Sequence, residues 1–391
     1  MQNAKGHGAR QVVGLAALVI VGLLPLGGIS QLCNKLQATL KNDAPNARDY
    51  EQIEHRYYER LIEPTSQIRA RSGPIDPGKL AVNVDDVREY VLKPNLRTIH
   101  KNATWTTNSL GLRDREYSMK KAPQTLRIAL IGDSIASGWG VDDGKGFEPL
   151  LEQRWNARYK RDDGTSIEVL NFAVPGHSPG QRWEQFKRIG WQTSPDLIIF
   201  ESTLADLGWD ERRLRALIPQ GLGIEASVYS RTLQRVHLSP DTHDLKGRLR
   251  PLRDELLAGV YQQATEESIA HQTPIVWVLL PRVGKPLLAS DHAKISKIAQ
   301  LAGFTKTIDA STIFDGKSAA SLAIAPDDFH PNAAGHSKIA EHLDAILGDF
   351  VSSLVPVSRP EVRGLSFAPG RPDPALNETT PSSKSAGADS Q

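Results

Sequence analysis

Ser134 lies in the stretch "RIALIGDSIASGWGVDD", residues 127–143, where an apolar, strand-like run stops at Gly132-Asp133-Ser134. Gly, Asp and Ser are turn formers, so a plain turn is one reading. The other is a hydroxyl nucleophile presented at the carboxyl end of a parallel strand, where α/β folds carry their sites. Such a nucleophile needs a base, the base needs an orienting acid, and the developing oxyanion needs donors. The stretch "DDFHPNAAGH", residues 327–336, offers Asp327 and His330 three apart, ahead of a helical pattern. That spacing lets a carboxylate fold back onto an imidazole and fix its tautomer. The same residues also read as a capped helix start with a surface histidine. His336 reads as a helix-packing or helix-surface residue. "GDSIASGWG" has the wrong glycine spacing for a dinucleotide or phosphate loop, and no paired-histidine spacing suggests zinc. The sequence therefore implies no metal and no cofactor.

The elements that must hold these residues follow from the apolar rhythm after residue 125. Strand-like runs at 126–132, 167–173, 196–202, 274–280 and 305–311 alternate with helical patterns at 147–159, 180–191, 209–217, 290–303 and 332–351. Apolar runs alternating with amphipathic helices predict a three-layer α/β/α fold around a five-stranded parallel sheet covered on both faces. Residues 218–250 break the rhythm and read as an insertion or lid leading into a helix near 252–270. Residues 31–124 read as a lead-in region of loops and short strands, with a helix at 50–63. Residues 353–391, rich in Pro, Ser, Ala and Gly, read as a disordered tail.

Bulk properties set outer bounds. The 391 residues carry a net charge of +2, with 39% hydrophobic and 24% charged residues, the profile of a globular chain with a real core. Nothing in that balance points to nucleic acid. One cysteine, Cys33, excludes an intrachain disulfide and a cysteine metal site. Lys5, His7 and Arg10 precede an uncharged run at residues 12–30, so residues 1–30 read as a retained membrane anchor, a cleaved export signal or, through Cys33, a lipidation site. Either of the first two places the main domain in the cell envelope, anchored or exported to the periplasm or the exterior.

Gly132-Asp133-Ser134 after the first strand, a glycine in the loop after the second and Asp-x-x-His before the last helix resemble the SGNH (GDSL-type) hydrolase family. The likeness covers roughly residues 105–350. It implies a flavodoxin-like SGNH hydrolase fold over 125–352 and a serine esterase acting on a small-molecule or glycan ester. By resemblance, Ser134 is the nucleophile, His330 the general base and Asp327 its orienting acid. The N–H groups of Ser134 and Gly176 are the oxyanion donors. Read alone, Gly176 in "NFAVPGHS" is equally a tight turn after Pro175.

The third block departs from the family's Gly-x-Asn-Asp. Here "FESTLADLGWD" places Thr203 on its Gly, Ala205 on its Asn and Asp206 on its Asp. Loss of one oxyanion donor typically costs ~10²–10³ in rate. Ser202, Thr203, His177 and Gln181 are the candidate substitutes. Asp133 reads as loop support and Glu201 as a site-lining, paired or solvent-facing carboxylate. Asp206, Trp209 and Asp210 read as a turn and helix cap, and the arginines at 212–215 as a solvated helix face. Two alternatives follow from the altered block and the shared triad: an O-acyltransferase, and a weakly active or inactive binding module.

Overall fold

The computed structural model describes residues 79–159, 164–285 and 287–356. Residues 12–30, Cys33, the helical pattern at 50–63 and the tail beyond 356 lie outside them. Among the described residues no helix is long and apolar enough to cross a membrane.

Two antiparallel hairpins come first: β1 (Ala81–Asn83) with β2 (Tyr90–Leu92), and β3 (Arg97–His100) with β4 (Ala103–Thr106). The expected parallel sheet follows, built from β5 (Thr125–Ile131), β6 (Ser166–Asn171), β7 (Leu197–Ser202), β8 (Ile275–Leu279) and β9 (Lys306–Asp309). Its spatial order is β6-β5-β7-β8-β9, the doubly wound order of flavodoxin-like folds. The central strands β5, β7 and β8 are buried along their whole length because both faces are covered, whereas the edge strands β6 and β9 carry more exposed polar residues such as Glu168 and Lys306. Ala129 and Ile131 of β5 face one core while Leu126, Ile128 and Leu130 face the other.

The second core is closed by α1 (Phe147–Tyr159) and α9 (Ala333–Leu354), which contribute Leu151, Trp155, Leu343 and Leu347. The first core is closed by α2 (Pro179–Ile189), α3 (Trp209–Leu217), α4 (Ser227–Leu233), α6 (Arg253–Ala270) and α7 (Ala289–Ala302). Two short helices, α5 (Leu245–Leu249) and α8 (Ala319–Leu322), complete the set.

Residues 218–250, read as an insertion or lid, pack onto the first core. They buy their place by burying Val228, Tyr229, Leu233 and Leu249 in the first core, with α4 against α2 and α6 and α5 against α3. The Pro, Gly and charged residues that hid this pattern lie mostly in the turns between these short helices. The hairpins also join the domain. Leu80, Tyr90, Leu92 and Trp105 form one apolar cluster with Trp139 and Val174, which follow β5 and β6.

Candidate active site

Strand β5 delivers Gly132-Asp133-Ser134 into a tight turn in which the Ser137 N–H donates to the Asp133 carbonyl and the Trp139 N–H to that of Ser134. Gly132 is required by crowding: a Cβ there would sit 2.4 Å from that of Ala136 and 2.6 Å from Glu201 Oε2. At the other end of the chain, Asn332 caps α9 by accepting from the N–H groups of Ala334 and Gly335. The turn just before that cap aims His330 back at the sheet. His330 Nε2 lies 2.7 Å from Ser134 Oγ, with both residues buried.

The acid on the far side of the imidazole is Asp328, which corrects the expectation of Asp327. Asp328 Oδ1 is 2.5 Å from His330 Nδ1 and also accepts the His330 N–H at 3.0 Å. The Asp328 N–H closes a turn onto the Ala325 carbonyl, and this turn buries Asp328 while leaving Asp327 exposed. Burial pulls the His330 pKa below its ordinary value, against the pull of Asp328, and so favours the neutral base. Burial alone would raise Asp328, but its hydrogen bonds and ion pairing with His330, aided by Lys101, hold its carboxyl far below the usual range.

Gly176 sits at φ +80°, a left-handed conformation that suits glycine. Its carbonyl accepts from Arg213 Nη2 at 2.8 Å, and the preceding carbonyl, of Pro175, accepts from the Tyr90 hydroxyl at 2.8 Å. These bonds fix the direction of the peptide. Among the described residues, the N–H groups of Ser134 and Gly176 donate to no group of the chain.

The other candidates sort by where their protons go. His177 is buried and pushed down to about 3, so it is neutral. Its Nε2 faces the Tyr90 carbonyl at 3.0 Å and must carry the hydrogen, which leaves Nδ1 without one to donate. Gln181 spends its amide N–H groups on the carbonyls of Val87 and Arg88. Ser202 gives its proton to Asp206 Oδ2 at 2.6 Å. Thr203 is buried, and its hydroxyl donates to no described partner.

Arg182 lies beneath this surface with its side chain wholly buried. It forks onto Asp206 with two bonds of 3.0 Å, reaches Asp133 Oδ2 at 3.2 Å and donates to the carbonyls of His177 and Glu201. Asp206 is therefore a buried ion-pair partner and not a simple turn residue. Glu201 is buried too, and its Oε2 accepts the Asp133 N–H at 2.9 Å. Burial and the neighbouring Asp133 push its pKa well above the usual range, and the hydrogen bond it accepts from the Asp133 N–H supports the Ser134 turn. Asp210 is no helix cap. It is buried and accepts from the Gly180 N–H and the Tyr229 hydroxyl. Arg213 is likewise buried, not solvated. His336 packs at 6.0 Å on Phe147 and is held near 3 by burial.

Residues 130–338, more than half of the chain, match the model of the GDSL-like lipase/acylhydrolase family. The chain belongs to this family. The acylhydrolase is an SGNH-type serine esterase on the doubly wound frame described above. Among solved structures it is similar to the acetylxylan esterase Axe2 from Geobacillus stearothermophilus (15% identity, 57% of this chain and 94% of that one, TM-score 0.39). TesA is similar at 16% identity over 57% of this chain and 98% of that one, with a TM-score of 0.36. A two-domain esterase, CEX, active on acetylated mannans, is similar at 13% identity and a TM-score of 0.39. The match with CEX covers 61% of this chain and about half, 53%, of that one. No curated protein matches the chain.

Three residues of the acylhydrolase's site escaped sequence reasoning: Arg182, Arg113 and Lys101. Arg182 carried a signal, since it directly precedes Trp183 on an otherwise core-facing helix start. Arg113 and Lys101 carried none, because only the tertiary path of the hairpins brings them to the site.

Proposed function

We propose that this acylhydrolase cleaves esters through Ser134, His330 and Asp328. The observation that carries the reading is the unbroken line from Ser134 Oγ through both ring nitrogens of His330 to Asp328 Oδ1. Ser134 Oγ attacks the ester carbonyl as its proton passes to His330 Nε2. Asp328 holds the Nδ1–H tautomer and stabilises the imidazolium. The Ser134 and Gly176 N–H groups receive the oxyanion, and the Thr203 hydroxyl, which has no described partner while Gln181 and Ser202 have spent their protons, is the substitute we assign for the donor lost at Ala205. The imidazolium then protonates the leaving alcohol. Water, deprotonated by His330, attacks the acyl-enzyme and releases the acid and free serine.

The substrate class we assign is an O-acyl group on carbohydrate, with small acyl and lipid esters behind it. The uncharged run at 12–30, preceded by basic residues, supports an anchored or exported enzyme, and acylated glycans are the esters such an enzyme meets at the cell envelope. Short-chain aryl ester hydrolysis by the full chain tests the triad. Ser134→Ala is expected to lose roughly 10⁴-fold or more in kcat, and Asp328→Ala about 10³–10⁴-fold. Asp327→Ala is expected to stay within about twofold, since exposed groups away from the reacting atoms contribute little. Loss in Asp327→Ala with activity kept in Asp328→Ala would return the acid to position 327. Acetate release from acetylated glycans, with and without an acceptor sugar, separates hydrolysis from acyl transfer. Glycan binding without turnover would indicate a binding module.

A further inference from the structure

Asp328 has two carboxylate oxygens, and they serve different partners. Oδ1 holds His330, while Oδ2 accepts from Lys101 Nζ at 2.9 Å. Lys101 is 227 residues away along the chain, at the tip of the β3–β4 hairpin. The tip pairs His100 with Ala103, and Lys101 and Asn102 both have positive φ, +50° and +60°. Two positive-φ residues in a two-residue loop make a type I′ turn, the tight connection whose twist matches that of its strands. The lysine is therefore presented from a stiff support.

The support is anchored beside the site. Trp105 of β4 packs edge-on against Trp139, as does His100 of β3. Trp139 in turn lies 6.0 Å from His330, and the Lys101 ammonium stands 5.6 Å above the Trp139 ring. The Lys101 side chain is only 25% exposed and that of Asp328 6%, so water screens this pair less than a surface pair.

We propose that Lys101 is a positioning residue of the esterase, a fourth member of the relay Ser134–His330–Asp328, which both fixes the second oxygen of Asp328 and sets the pH at which His330 becomes an active base. This rests on the triad reading above. A cation on the far oxygen offsets part of the carboxylate's attraction for the imidazolium, so His330 sheds its proton at lower pH. The other groups around His330 are Asp133, with Arg182 behind it, Arg282 stacked on Phe329, His100 behind Trp139, and His336, which burial keeps neutral. Asp133 favours the imidazolium and opposes Lys101. The sign follows: removing Lys101 raises the pKa of His330, and the acid limb of kcat/KM moves to higher pH.

The test is the pH profile of kcat/KM for a short-chain aryl ester, using the full chain, Lys101→Met and Lys101→Arg. In Lys101→Met the acid limb is expected to move up by about half a unit to one unit, so that the rate on the acid side falls roughly 3- to 10-fold, more than the plateau does. Lys101→Arg is expected to bring the limb back. Superimposable acid limbs in Lys101→Met and the parent would overturn the proposal. So would a lowered plateau with an unmoved limb, which is the mark of a merely structural hairpin. Asp328→Asn separates the two readings. If it keeps full activity, the triad reading itself fails. If it is inactive while the limb of Lys101→Met stays put, only the role of Lys101 fails.

Discussion

The hairpin region at 79–124 turns charged side chains inward: Lys101 onto Asp328, Arg113 onto the loop behind Ser134, and Asp114 onto the Asn171 N–H of β6. The segment at 218–250 turns mainly apolar ones inward: Val228, Leu233 and Leu249, with Tyr229 donating to Asp210 of α3 and Thr232 to the Glu255 carbonyl of α6. Both interrupt or precede the strand–helix alternation, and both read as accessories in the sequence. They differ in the kind of interaction they bring. Hydrogen bonds and ion pairs are directional and set positions to within tenths of an ångström. Apolar burial is non-directional and adds stability wherever area is removed from water. The hairpins should therefore govern rate, and the later segment should govern stability.

The largest expected effect lies on the hairpin side. Arg113 donates to the carbonyls of Ser137, Gly138, Val141 and Thr104 while stacking 4.0 Å from the Trp105 ring. Arg113→Met removes the guanidinium from all four carbonyls, of which that of Gly138 keeps the Val141 N–H, and frees the turn that carries Ser134. A misplacement of about 1 Å costs on the order of 10²-fold in rate, and that is the expected fall in kcat, measured where a melt shows the variant folded. An unchanged kcat would break the comparison.

The converse variant is Leu249→Ala, at a fully buried position of α5. Its expected loss is about 2–5 kcal/mol of unfolding free energy in urea, with kcat/KM per folded molecule unchanged. A drop in kcat/KM without a drop in stability would assign the segment a role at the site.

The smallest effect concerns a carboxyl cluster that the hairpin region completes. Glu148 of α1 is buried beside a cavity of about 420 Å³, whose lining includes Asp114, Glu152 and Asn171. Burial, and then Asp114 and Glu152, raise its pKa well above the usual range. The folded protein thus keeps a proton that the unfolded chain gives up near pH 4.5, so this group draws stability down as pH rises above that value. Glu148→Gln removes the dependence. Relative to the parent, its unfolding free energy should gain as pH rises above ~5, until the folded carboxyl itself ionises, by no more than about 1.4 kcal/mol per unit. A parallel pair of stability–pH curves would show that Glu148 ionises freely in the fold.

The sheet, the helices that alternate with its strands, Ser134, His330 and Gly176 were legible in the sequence, because each announces itself locally. A strand ends at a serine, a histidine precedes a capped helix, and a glycine stands in a strand-end loop. Asp327 against Asp328 was not legible. Both are acids within reach of His330, and only the Ala325–Asp328 turn decides which one is buried. The segment at 218–250 was obscured by its short helices, whose apolar residues are too few to show a period. Lys101 and Arg113 were hidden for a different reason. A charged residue in a Pro-, Asn- and Gly-rich stretch looks solvated until the chain path is known. The family match begins at residue 130, so it too leaves both of them outside.

The Arg182 clamp bears on which positions in the third block are free to vary. Removing either partner of a buried ion pair strands the other charge at a cost of about 3–5 kcal/mol, a large share of the ~5–15 kcal/mol that holds a typical domain together. Asp206 and Arg182 can thus be exchanged only jointly, and any replacement must also satisfy Asp133 and the carbonyls of His177 and Glu201. Ala205, on the adjoining turn and half-buried, is tied to the clamp by no side-chain bond. A change at position 205 therefore leaves the clamp intact, whereas a change at 206 strands the guanidinium beneath the Ser134 turn.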